Sequence, residues 1–132
     1  MAGMVATIDD AARLAFGLPQ VTEGLKFGHR TWYVAGKSFA WERPLSKADI
    51  KRFGPATPPD GPLLAVSVAD LGEKEAVLQA HPDVVFSITH FDGYAAVLVK
   101  LNKVGKRVLK ELVLDAWLAA APPALAEEYL KR

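Results

Sequence analysis

Residues 30–42 read RTWYVAGKSFAWE, and this stretch decides the fold class. Two runs rich in aromatic and β-branched residues, 30–35 and 38–42, flank Gly36-Lys37, the pattern of a hairpin closed by a two-residue turn. Strand alternation places Trp32 and Val34 on one face and Thr31, Tyr33 and Ala35 on the other. Residues 84–89 and 95–101 repeat the arrangement across His90-Phe91-Asp92-Gly93-Tyr94, whose Asp-Gly pair signals a turn. A further strand reads at 63–69, an apolar run broken only by Ser67. Hairpins therefore dominate over parallel crossovers, which argues for an antiparallel sheet with helices packed on one face, the α+β class.

Four helices frame these strands. Thr7 caps the first, with Asp9 and Asp10 where the helix dipole favours carboxylates and Ile8, Ala11, Ala12, Ala15 and Phe16 as the apolar side, and Gly17 and Pro19 end it. Asp70 caps a second over residues 71–80, which stops at His81-Pro82. The longest covers residues 103–120 and sets Leu109, Leu112, Val113, Ala116, Trp117 and Ala120 on one core face. Pro122 and Pro123 close it and open a short last helix through Leu130. Residues 43–62 hold five of the nine prolines and read as an excursion from the sheet, with a helical turn opening at Ser46 and Asp49 at capping-box distance.

Composition bounds the function. A chain of 132 residues, 51% hydrophobic and 23% charged, without repeats or linkers, reads as one domain over residues 1–132. Sixteen Lys and Arg against fifteen Asp and Glu leave a net charge of +1, so binding to a polyanion must come from local clustering. The lack of cysteine excludes disulfides, thiolate nucleophiles and thiolate-held zinc or iron–sulfur centres. The opening MAGMVATIDD has neither a basic region nor an apolar core, so no signal peptide is expected, and no apolar run reaches the roughly 20 residues of a membrane span. A cytoplasmic location without membrane association is the expectation, and the oligomeric state is left open.

Gly28-His29-Arg30 leading into Trp32-Tyr33-Val34 and Gly36-Lys37, then Phe39-Ala40, the distal His90-Phe91-Asp92-Gly93-Tyr94, Val97-Leu98-Val99 and the Ala116-Trp117 helix together resemble the MmcQ/YjbR-like family. The resemblance spans nearly the whole chain, from the first helix and Leu18-Pro19-x-Val21-Thr22-Glu23 onward. It implies a CyaY-like, that is frataxin-like, sandwich and a DNA-binding role through paired hairpins, with no enzyme activity and no cofactor.

The residues offer two candidate sites. Lys103, Lys106, Arg107 and Lys110 form a basic stripe about 100° from the core face of the longest helix, and Arg30, Lys37 and Arg43 gather at the tip and strand ends of the first hairpin. Both clusters suit phosphate contacts on DNA, and both also suit ordinary solvated surface and turn chemistry. Lys47, Lys51 and Arg52 form a weaker third cluster. The alternative is a protein or small-molecule interaction module built on sheet aromatics, with a ligand pocket at His29, Trp32, Trp41, His90 and Tyr94. Core packing competes for those aromatics, because alternation buries at least half of a hairpin's side chains.

Catalysis and metal binding find little support. Tyr94 hydrogen-bonding across the hairpin and Asp92-Gly93 as a turn explain the His90/Asp92/Tyr94 trio without acid–base chemistry. His29, His81 and His90 lack local ligand spacing, and the first helix offers only Asp9 and Asp10 beside Arg13, too few acids for iron delivery. No Walker loop, dinucleotide fingerprint or nucleophile elbow is present.

Overall fold

The computed structural model describes residues 6–132. The reading of the extreme N-terminus as free of a leader lies in part outside them. Six strands form one antiparallel sheet: β1 (Val21–Lys26), β2 (His29–Val34), β3 (Lys37–Glu42), β4 (Leu63–Ser67), β5 (Val85–Phe86) and β6 (Ala96–Lys100), in the spatial order β1-β2-β3-β4-β6-β5. The helices are α1 (Ile8–Phe16), α2 (Lys47–Arg52), α3 (Leu71–Ala80), α4 (Lys106–Ala120) and α5 (Pro123–Leu130).

Capping chemistry starts three of the helices where the sequence placed them. Thr7 Oγ1 accepts from the Asp10 amide at 3.1 Å while Asp10 Oδ2 accepts from the Thr7 amide at 2.9 Å, a reciprocal box worth about 1 kcal/mol over an uncapped start. Ser46 and Asp49 repeat the box at α2, and Asp70 caps α3 through the Glu73 amide at 2.7 Å. The longest helix starts later than its periodicity suggests, at Lys106, because residues 101–103 turn back to close the sheet, with the Val104 amide donating to Lys100 O.

One face of the sheet, the helix face, carries the main core. Trp32 and Val34 from β2, Leu64 and Val66 from β4 and Val97 and Val99 from β6 meet Leu109, Val113, Ala116 and Trp117 of α4. Trp117 Nε1 donates to Pro19 O at 3.1 Å, which ties α4 to the link between α1 and β1. Truncating a fully buried residue such as Leu109 to Ala costs about 2–5 kcal/mol at this kind of site. The opposite face holds a smaller core of Ala65, Ala96 and Leu98, roofed by Ile88, Phe91 and the Leu45 and Phe53 side chains that flank α2. The roof stops short of β1 and β2, so part of this second face stays open.

Three strand readings need correction. The first hairpin turns at Ala35-Gly36, not Gly36-Lys37: both have positive φ, 50° and 78°, and Val34 pairs with Lys37. A turn with both central residues left-handed matches the twist of the flanking strands, and that preference outweighs the cost of placing Ala there. Lys37 is thus the first residue of β3. A strand unread in the sequence, β1, precedes this hairpin through a second turn of the same kind at Phe27 (φ 54°) and Gly28 (φ 80°). Its sequence VTEGLK shows no alternation because it is an exposed sheet edge with little to bury. The strand expected at 84–89 shrinks to Val85–Phe86, since Ile88 leaves the ladder for the second core and Thr89–Phe91 forms a 3-10 turn that adds Phe91 to it.

Candidate functional site

Pairing of Thr31 with Trp41 fixes which side chains face the open side of the sheet. Period two then aligns His29 and Thr31 on β2 with Trp41 and Arg43 on the β3 side. A bulge opposite Tyr33 turns both Phe39 and Ala40 to the helix face and leaves Ser38 and Trp41 on the open one. The 3-10 turn brings His90 and Phe91, a Phe91-to-Tyr94 turn brings Tyr94, and the β1–β2 turn brings Lys26 and Phe27. Together they line a cavity of about 470 Å³. A neighbouring hollow of about 500 Å³ shares Phe27, His29, Arg43 and His90 and runs on to Pro44 and Ser46.

The floor of the cavity is aromatic. Trp41 lies 6.4 Å from both Phe91 and Tyr94 by ring centroids, and Phe91 meets Tyr94 edge-on at 5.5 Å. The Arg43 guanidinium sits 5.8 Å over the Phe91 ring and is held by Asp49 at 3.0 Å. Burial works to raise the Asp49 carboxyl, but hydrogen bonds from Ser46 and Arg43 outweigh it and keep the group below the usual range. Arg43 is therefore neutralised where it stands, and it stiffens the wall instead of offering a bare charge.

Lys74 supports this wall from α3. Its buried ammonium donates to Phe91 O at 2.6 Å and Tyr94 O at 2.8 Å, the two ends of the turn that carries Tyr94. Burial lowers its pKa, with Asp92 opposing the shift. Sequence reading missed Lys74 because a lysine in a helix of mixed polarity looks like any solvated one.

Four of the five residues read as a pocket, His29, Trp41, His90 and Tyr94, line this one cavity. Trp32 is the correction: it is fully buried on the helix face, since alternation sets it opposite to Thr31 and its indole is tied to Glu23 at 2.8 Å. Phe27, Thr31, Ser38 and Phe91 also line the cavity and were unread. Thr31 and His29 share a strand face, so period two could have found the first; a Phe-Gly turn signal could have found Phe27.

The seven cations read as a DNA surface do not share one. Arg30 lies on the helix face, bonded to Glu23 at 3.0 and 3.1 Å and to Asp9 at 3.0 Å, 5.4 Å over the Trp32 ring. Its hydrogen bonds to Glu23 and Asp9 raise its pKa, and the bonds that Glu23 takes from Arg30 and Trp32 lower that of Glu23 against its burial and the Asp9 charge. Arg43 lies on the open face. Lys37 opens β3 at the far end of the strand from Glu42, roughly 16 Å away at about 3.3 Å per residue. Lys103, Lys106, Arg107 and Lys110 are exposed at and before the start of α4, which follows β6 at the Glu42 end of the sheet. Lys106 stands 4.0 Å from Asp10, whereas Lys103, Arg107 and Lys110 have no ion pair among the described residues.

Two imidazoles share the cavity, yet among the described residues no three His, Cys, Asp or Glu side chains converge as a metal site. Neither imidazole has a hydrogen-bonding side-chain partner there, so no base–orienter pair of the kind acid–base catalysis uses is formed. Among the described residues no helix is long and apolar enough to cross a membrane.

A family model described as YjbR matches residues 16–119. This chain belongs to the YjbR family. The matched span of this YjbR chain contains every cavity residue from Lys26 to Tyr94 and all of α4 but its last residue. An uncharacterized protein of Mycobacterium tuberculosis strain H37Rv is 43% identical over 129 residues, covering 96% of this chain and 97% of the relative. An uncharacterized protein of Mycobacterium bovis matches to the same extent. The crystal structure of a Deinococcus radiodurans protein with a DUF419 domain superposes with a TM-score of 0.62 at 23% identity, over 86% of this chain and 78% of that one. That likeness supports the fold.

Proposed function

We propose that this YjbR-family chain is a non-enzymatic binding protein whose site is the cavity on the open face of the sheet, taking a small organic ligand. The observation that carries the reading is the convergence of Trp41, Phe91 and Tyr94 with the polar His29, His90 and Ser38 in one concave space of about 470 Å³. Apolar walls with a few converging polar groups, in the range of about 300–1,000 Å³, are the common form of small-molecule sites. Trp41 is the one tryptophan in this wall; Trp32 and Trp117 are fully buried in the main core. A fragment library titrated against the protein is expected to change the fluorescence of the wild type and to leave Trp41→Phe unmoved. Ligands that quench both proteins alike would place binding elsewhere.

A second reading is favoured by one feature of α4. Lys106 and Arg107 occupy its first turn, which has no acidic residue and no side-chain cap. The helix dipole opposes cations there, by about 0.3–1 kcal/mol each, and of the two only Lys106 has a partner among the described residues, Asp10 at 4.0 Å, so Arg107 suits an external polyanion better than it suits the helix. DNA contacting Lys103, Lys106, Arg107 and Lys110 without base readout fits both this feature and the CyaY-like sandwich with which the family resemblance associates the fold. Anisotropy of a labelled duplex of about 20 base pairs is then expected to fall between 50 and 200 mM salt, with log affinity against log salt sloping at about −3 to −4. A flat salt dependence, or a Lys106→Ala/Arg107→Ala variant that binds as the wild type does, excludes this mode.

A further inference from the structure

Resting on the cavity reading, we infer that the ligand is a planar nitrogen heteroaromatic ring, of the purine, pteridine or isoalloxazine kind, and that Phe27 closes over it. Phe27 is 90% exposed, the most exposed large apolar side chain described, although it stands beside a cavity with aromatic walls. Its ring borders both the cavity and the neighbouring hollow, at the lip between them. An apolar ring held in water at the mouth of an apolar space gains on contact with a ligand that covers its face, and two aromatic surfaces are joined best by a flat ring. The positive φ of Phe27 is not the reason for this assignment, because Ala35 takes the same conformation in the equivalent turn far from any such space.

The polar rim narrows the chemistry. His29 and His90 line the cavity and neither imidazole is hydrogen-bonded to another side chain among the described residues, although the His90 ring lies 6.2 Å from that of Phe91. Thr31 spends its proton on His29 O at 3.1 Å and lies buried beneath the cavity, so it offers a ligand no donor. Each imidazole supplies a donor and an acceptor in its neutral form, which suits the alternating donors and acceptors on the edge of a nitrogen heterocycle. An aliphatic chain meets the walls but leaves these groups without partners. The cavity lining carries one lysine, Lys26, and one glutamate, Glu42, and Arg43 is paired with Asp49, so the cavity does not demand a strongly anionic ligand.

Calorimetric titration with adenosine, lumazine and riboflavin, and with octanoate as an aliphatic control, tests this on wild type, Phe27→Ala and Phe27→Tyr. Phe27 is a surface residue, so the variants are expected to fold, and thermal melts verify it. At least one heteroaromatic probe is expected to bind tenfold or more tightly than octanoate. Phe27→Ala is expected to weaken that probe about tenfold, as loss of a base–aromatic stack does, and Phe27→Tyr to retain it. Octanoate binding as tightly as every ring, with Phe27→Ala neutral, overturns this inference and leaves the cavity reading standing. Heteroaromatic binding that Phe27→Ala does not change removes Phe27 from the site. Failure of all four probes up to millimolar concentration overturns the inference on the ligand, and if the fragment library also leaves Trp41 unmoved, the cavity reading falls with it.

Discussion

The Trp32 indole Nε1 donates to Glu23 Oε1 at 2.8 Å, between residues that face each other directly across the β1–β2 ladder. The same carboxylate takes two bonds from Arg30, so one acid on an edge strand satisfies an indole and a guanidinium on the next. Trp32 and Arg30 thereby serve the sheet, and the opposite face carries the cavity. Glu23→Ala strands a buried indole N–H and one partner of a charged pair, and is expected to lower stability by about 1–3 kcal/mol in urea unfolding. Glu23→Gln keeps an acceptor for the indole and is expected to lose less.

Asp49 gives the fold an acid-sensitive joint. Its carboxyl is held below the ordinary range in the folded chain, so its contribution is present above the unfolded value near pH 4 and is lost as pH falls through the folded value. Wild type is therefore expected to lose melting temperature between pH 4 and pH 2.5 more steeply than Asp49→Asn, which lacks the linkage and starts lower at pH 7. Parallel slopes in thermal melts at the two pH values would remove Asp49 from the account.

Asp115 behaves in the opposite sense. Partial burial first, then the nearby carboxylates of Glu73 and Glu111, raise its pKa. A raised carboxyl favours the folded state below the unfolded pKa and costs stability as pH rises through the folded one. Asp115→Asn is accordingly expected to melt above wild type at pH 7 and to lose that advantage below about pH 4, as scanning calorimetry at both pH values would register.

Lys74 links stability to the site. Lys74→Met keeps the aliphatic stem but removes the charged donor from the carbonyls of Phe91 and Tyr94, which keep only the amides of Tyr94 and Ala96, a loss of about 1–3 kcal/mol. Amide hydrogen exchange is expected to quicken at Phe91, Asp92 and Tyr94, whose amides bond within this turn region, with α4 unchanged apart from the global loss. Uniform acceleration along the chain would make Lys74 a general packing residue and not a support of the cavity wall.

The parts of the fold legible in the sequence are those with local causes. Thr7, Ser46 and Asp70 mark helix starts through side-chain bonds three residues on, and the apolar period of α4 names its buried face without any knowledge of its partner. What stayed illegible depends on distant partners. The edge strand β1 is a strand because β2 pairs with it, not because VTEGLK prefers to be one. Ile88 looks like a strand residue, and Phe91 like part of a turn, until Ala65, Ala96 and Leu98 offer them a second core. In the site, His29 and His90 lie 61 positions apart and nothing local shows that they meet, while Trp32 is separated from Trp41 by strand parity and a bulge. The cations were read by residue type, and only the sheet topology shows Arg30 and Arg43 on opposite faces.

The account rests on the cavity of the open face being the binding site, and the three tryptophans report on that directly. In a two-dimensional nitrogen–proton spectrum the indole N–H groups of Trp32 and Trp117 are fixed by Glu23 and Pro19, whereas Trp41 lies in the cavity wall. Addition of a bound ligand is expected to shift the Trp41 indole peak and leave the other two in place. A ligand that shifts Trp32 or Trp117, or the backbone peaks at the start of α4, with Trp41 still, would contradict the account.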